Sequence, residues 1–338
     1  MKKRIQWLDF GKGFFILWVV VAHALKSIYS RPIYSYQTNT ILHFVGDIVF
    51  FFIMPAFFAL SGFLFRKRSS WNDYIQFIIK KAINLFVPYI VFSIVYVFLQ
   101  HFSNNVNHHY SFHSLLNIWY QPISYLWFLY VLFFIFVLVG LMSLLNINFE
   151  IQFIICLIGF IFVCLFKPKL TIFQTFGDAL FFLTGTLTNK YLHIIVKHKN
   201  TVLITSQLLS LISFITCFII IGIQSDYNNS TLINIIPKIL VSFSSLTFCM
   251  NQNERTAFFR YFDKYGKDSL VIYLVHAPVV SIACVLMFKV MIPNVAISLI
   301  SLIAIGWFTS LIIVWLKKRT LLVQWIFNAY QTFYLSKN

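Results

Sequence analysis

Three ionisable side chains share one apolar stretch near the start of the chain. Residues 7–23, WLDFGKGFFILWVVVAH, carry Asp9, Lys12 and His23. A carboxylate or ammonium in hydrocarbon costs roughly 2.5–3.5 kcal/mol on insertion scales, so such a group marks a functional site by default. His23 is the member suited to taking and returning a proton near neutral pH. On a helix rising about 1.5 Å per residue, Asp9 and His23 stand about 21 Å apart, with Asp9 at the water boundary and His23 deep. His43 and Asp47, four apart, share one face of a second apolar helix, and Asp178 and His276 fall in later ones. A carboxylate beside a histidine fixes the imidazole tautomer and stabilises the imidazolium formed on proton abstraction. Either Asp47 or Asp178 can be that partner for His23.

The elements that must position these groups are membrane helices. The 338 residues are 60% hydrophobic and only 10% charged, with 41 Phe, and the mean hydropathy is +0.83. A soluble globular domain is excluded. About 20 apolar residues span a bilayer, and ten segments qualify as candidates: 11–29, 41–65, 83–102, 125–145, 151–166, 170–188, 201–223, 231–249, 270–288 and 293–316. The expectation is an all-α, polytopic bundle forming one domain over 1–338, with an interfacial C-terminal tail at 320–338. The stretch 251–269, with interleaved apolar and basic residues, also reads as an interfacial helix.

The net charge of +17 does not point to nucleic acid, because the basic residues cluster before span one and after spans two, six, eight and ten. If the spans alternate, these all fall on one side, which places both termini in the cytoplasm. Lys167, Lys169 and Lys289 are the exceptions. Run in these directions, the helices put His23, His43, Asp47 and Asp178 in the outer half and Lys12 and His276 in the inner half, with Lys238 between. Basic groups at the inner entrance suit a phosphate-bearing donor. The plainer readings are helix-packing histidines for His43 and His276 and a snorkelling amine for Lys12.

The five cysteines have no metal-ligand or disulfide-framework spacing and read as small core residues. His101, His108, His109 and His113, at and after the end of span three, lack a carboxylate or cysteine neighbour and read as solvated surface, so no metal is expected. The aromatic residues of the same outer loop suit the mouth of a sugar-binding site. No cleavable signal peptide, internal repeat, phosphate loop or Ser-His-Asp pattern is present.

The string LDFGKGFFILWVVVAH resembles the first-helix signature of the integral-membrane acyltransferase family (acyltransferase 3), and of its fucose 4-O-acetylase-like branch in particular. FFIMPAFFALSGFLF at 51–65 is similar to the second-helix motif of that branch. KKAINLFVPYIVFS at 80–93, YLWFLYVLF at 125–133, FFLTGTLTNK at 181–190 and YGKDSLVIYLVHAPVV at 265–280 resemble later landmarks in the same order. Where the family commonly has a histidine before Met-Pro, this chain has Ile53. The resemblance carries over Asp9, Lys12, His23, Pro55, Ser61, Trp127 and His276.

It implies a membrane O-acetyltransferase that takes acetyl from cytoplasmic acetyl-CoA and passes it to a hydroxyl of a cell-envelope saccharide, lipid-linked or polymeric, in a bacterial cytoplasmic membrane. His23, with Asp47 or Asp178 and with His276, would carry catalysis, and Asp9, Lys12, Arg66 and Ser269 would line the CoA phosphates. The rival is a proton-coupled transporter or glycan exporter, which paired broken helices in two repeats would have signalled. A third reading is a sensor or scaffold without catalysis.

Overall fold

The computed structural model describes residues 4–31, 33–101, 110–222, 227, 229–289 and 294–334. His108 and His109 lie outside them. Among the described residues the regular elements are helices: α1 (Gln6–Tyr29), α2 (Tyr36–Phe63), α3 (Trp71–His101), α4 (Trp127–Leu144), α5 (Phe149–Phe166), α6 (Gln174–Lys190), α7 (Leu192–Lys197), α8 (Lys199–Ile221), α9 (Ile235–Met250), α10 (Ala257–Gly266), α11 (Ser269–Lys289), α12 (Val295–Lys317), α13 (Leu321–Phe327) and α14 (Ala329–Tyr334), with short 3-10 turns between some of them. Hydrocarbon forces this choice, since every backbone N–H and C=O must be paired within its own segment.

The ten predicted spans each correspond to one long helix. Eight are long and apolar enough to cross a membrane. The other two, α6 with 17 residues and α9 with 16, are shorter than a full crossing. Both lie inside the bundle, α6 against α2, α4, α5 and α9, and α9 against α1, α2, α6 and α8. The protein is a multi-pass helical membrane protein. α1 is its axis, touching α2, α9, α10, α11 and α12, while α3, α5 and α8 present large apolar side chains outward.

Two crossings are set by glycine. A Cβ on Gly13 or on Gly266 would strike the other helix's backbone, so α1 and α10 meet main chain to main chain; Gly62 and Gly185 do the same for α2 and α6. Without a hydrophobic drive between helices in lipid, close backbone packing at small residues is what holds them. The glycines of four of the sequence landmarks therefore serve packing. α10 packs its Phe259 and Phe262 onto Phe10 and Phe14 of α1. The tail helices dock on α3, with Phe327 buried beside Phe92 and the Lys80 ammonium over the Tyr330 ring.

Candidate active site

A cavity of about 1870 Å³ opens among the C-terminal ends of α1, α3, α5 and α11 and the N-terminal ends of α6 and α9. These are the outer ends in the predicted orientation. Val19, His23, Lys26, Ser27 and Ser30 form one stripe of α1 along its wall, as a 3.6-residue period requires. Phe50, Met54 and Pro55 of α2 stand opposite, and Tyr96, Tyr110, Tyr125, Trp127 and Tyr273 add an aromatic wall.

His23 is half-buried at this wall, and behind it His276 is fully buried. The two imidazoles stand edge to face with centroids 4.8 Å apart. The expectation that His276 lies in the inner half is corrected here. Gly13 of α1 and Gly266, just before α11, are level at the backbone crossing, and each histidine lies ten residues further along, so the parallel helices bring them to one depth.

His276 Nδ1 lies 2.9 Å from the Ile272 carbonyl, an acceptor, so the proton sits on Nδ1. Nε2 has no hydrogen-bond partner among the described residues. The unshared pair of His276 is therefore on the ring edge away from its own helix backbone. Pro278, two residues on, has no N–H to give to the Leu274 carbonyl one turn back. Tyr125 fills that vacancy, donating its hydroxyl to Leu274 O at 2.7 Å. Tyr273 in turn donates to the Tyr125 carbonyl. The rings of Tyr125 and Tyr273 lie about His276 at 5.9 and 6.0 Å. Sequence reasoning missed both tyrosines, although the Pro in HAPVV signals a carbonyl in need of a donor.

Neither predicted carboxylate flanks His23. Asp47 is fully buried and its carboxylate lies 3.0 Å from His43 Nδ1, whose side chain is 51% exposed on the outside of the bundle beside the Tyr29 ring. Asp47 also contributes, after burial and Cys217, to raising the hydroxyl pKa of Tyr227, which donates to Gly222 O at 2.7 Å. Asp178 lines the cavity elsewhere, close enough to Lys238 for their charges to interact. The side chain that packs against His23 is instead the imidazole of His276.

At the other end of α1, Asp9 is buried and pairs with Arg4 and, at 3.6 Å, with Lys12. Lys12 shares a patch of positive charge with Arg68, Lys80 and Lys81. The Lys81 ammonium stands 3.8 Å over the Phe136 ring, and the Arg68 guanidinium 4.2 Å over Phe77. Arg68 donates to Asp73 at 3.1 Å, and its buried Nε has no partner among the described residues. Arg66, expected here, is exposed on the loop, because the turn after α2 directs Arg68 back onto the aromatic rings. Ser269 makes no hydrogen bond to these cations, although Gly266, three residues earlier, lies against the Asp9 backbone. No group of three or more metal-ligating side chains occurs among the described residues. Of the outer loop, Tyr110, Pro122 and Ser124 line the cavity, whereas Trp119 and Tyr120 are exposed away from it.

A family model described as an acyltransferase domain matches residues 5–319. The chain belongs to this acyltransferase 3 family. Neither a curated protein nor a solved structure matches the chain.

Proposed function

We infer that this membrane acyltransferase moves an acetyl group from cytoplasmic acetyl-CoA to a hydroxyl of a cell-envelope saccharide in a bacterial cytoplasmic membrane. The observation that carries the reading is the His23–His276 pair at the wall of a large, aromatic-lined cavity that opens at one end of the bundle. His23 takes the acceptor's hydroxyl proton as its oxygen attacks the thioester carbonyl. The new C–O ester bond forms, the C–S bond breaks, and the proton leaves with the CoA sulfur. A general base so placed contributes about a hundred- to ten-thousand-fold. His276, whose Nδ1–H donates to Ile272 O, is a positioning residue that packs edge to face against His23 and holds the orientation of its ring.

Lys12, Arg68 and Lys81 take the CoA phosphates, with Arg68 in place of Arg66. Lys12 and His23 are eleven residues apart, about 16 Å along α1, a span suited to an extended pantetheine arm. The flat aromatic faces of Tyr96, Tyr110 and Trp127 suit the C–H faces of sugar rings, and a volume above the usual few hundred to about 1,000 Å³ of small-molecule sites suits a glycan segment.

The test compares envelope polysaccharide with and without the gene, alongside CoA release by the purified protein given acetyl-CoA and that polysaccharide. Loss of O-acetyl groups with unchanged surface polymer is expected. Loss of surface polymer with unchanged acetyl content per residue would instead indicate an exporter.

A further inference from the structure

The cavity that holds His23 is lined by five cations, Lys26, Arg31, Lys167, Lys238 and Lys289, against one carboxylate among the described residues, Asp178. Lys238 is buried, donates to Asn229 O at 3.0 Å and lies in the field of Asp178. Lys26, Lys167 and Lys289 are water-exposed and form no ion pair among the described residues. Elsewhere the pattern is different. At the opposite end, Lys190, Lys317 and Arg68 each have a carboxylate within 3.1 Å.

These charges also lie on the side where the positive-inside rule disfavours them. Lys167 and Lys289 were two of the three exceptions to that rule in the sequence, and both line this cavity. Lys167 moreover ends α5 in the left-handed region, at φ 47° and ψ 53°, where glycine or asparagine is the usual occupant and a β-carbon is strained. A concave site lined by one sign of charge focuses its field on the opening and concentrates ligands of the other sign.

We propose that the acceptor is anionic, a saccharide bearing phosphate or carboxylate groups that seat against Lys26, Arg31, Lys167 and Lys289 while a neighbouring hydroxyl faces His23. This rests on the transfer reading above and narrows its acceptor to a charged class. The anion gives the enzyme register: the charged group docks at the rim, and the distance from rim to His23 selects which hydroxyl is acylated.

The test uses the full chain in neutral phosphatidylcholine nanodiscs, with saturating CoA to occupy the inner cations, and calorimetric titration of inorganic pyrophosphate and of glucuronate. The expected result is uptake of at least one probe that weakens with salt and falls roughly tenfold in Lys167→Gln/Lys289→Gln, with Lys190→Gln unchanged. Preference for pyrophosphate assigns a phosphate-bearing acceptor, and preference for glucuronate a uronate; each supports the proposal. Lys26→Gln is the second variant should the double one lose monodispersity or thermal stability. Absence of uptake, or equal uptake by wild type and variants, overturns the proposal. So does abolition of the wild-type uptake by phosphatidylglycerol in the nanodisc, which would assign the cations to lipid headgroups. CoA release that depends on His23 reports on the transfer reading separately, so either idea can fail alone.

Discussion

His23 and His43 look alike in the sequence: both lie in apolar helices, both in the predicted outer half, and His43 has a carboxylate one turn away. Their surroundings are opposite. His23 lines a large cavity and is backed by His276, whereas His43 is half exposed on the outside of the bundle, paired with the buried Asp47. A histidine–carboxylate spacing is thus a property of one helix face. Whether that face meets substrate depends on how the helices are rotated against each other, and the glycine crossings at Gly13 and Gly62 fix that rotation.

His23→Gln should lower acyl transfer at saturating donor by about a hundred- to ten-thousand-fold while leaving the thermal midpoint and CoA affinity near wild type. Near-normal turnover in that folded variant would remove His23 from catalysis and return attention to His276. His276→Gln should reduce kcat roughly ten- to a hundredfold with little change in acceptor KM and a displaced pH–rate profile; a uniform loss of folded protein with an unchanged profile would leave His276 a packing residue.

The next effect concerns the donor. Lys81→Gln should weaken CoA binding roughly tenfold in direct titration, the loss of one charge-assisted phosphate contact, and Arg66→Gln should leave it unchanged. The opposite ranking would restore the assignment first expected from sequence.

Tyr125→Phe should lower stability by about 1–3 kcal/mol, because the Leu274 carbonyl left by Pro278 loses its donor in a buried site, and the loss is readable as a lower melting temperature. The smallest effect on turnover is expected at the exterior pair. His43→Ala should keep turnover within experimental scatter and cost about 1–3 kcal/mol of stability, because Asp47 loses a partner at a fully buried site, read from the same melting curve. A large loss of turnover there would make the exterior pair the working one.

The ten apolar helices were legible because span length and hydropathy are local properties. His23 and His276 were legible as ionisable groups in hydrocarbon. Their meeting was not, since the relative depth of α1 and α11 depends on the Gly13–Gly266 crossing, a contact between segments far apart in the chain. The same limit misled the choice of Asp47 and Asp178 as partners of His23, and hid that Arg68 rather than Arg66 packs inward onto the aromatic rings. Two residues along a turn reverse which side chain reaches inward, and composition carries no record of that. Tyr125 had a local signal, the proline one turn beyond Leu274, but only three-dimensional proximity says which donor answers it.

The Gly13–Gly266 crossing also bears on biogenesis. α1 leaves the ribosome first, yet the surface it buries against α10 is made about 250 residues later. At synthesis rates of roughly 5–20 residues per second, α1 waits in the bilayer for something on the order of tens of seconds with its glycine notch open. During that interval the helix bearing His23 is threaded but unclasped, and α10 closes it only after the seven apolar helices made in between, α2 to α6, α8 and α9, have had the chance to insert around α1.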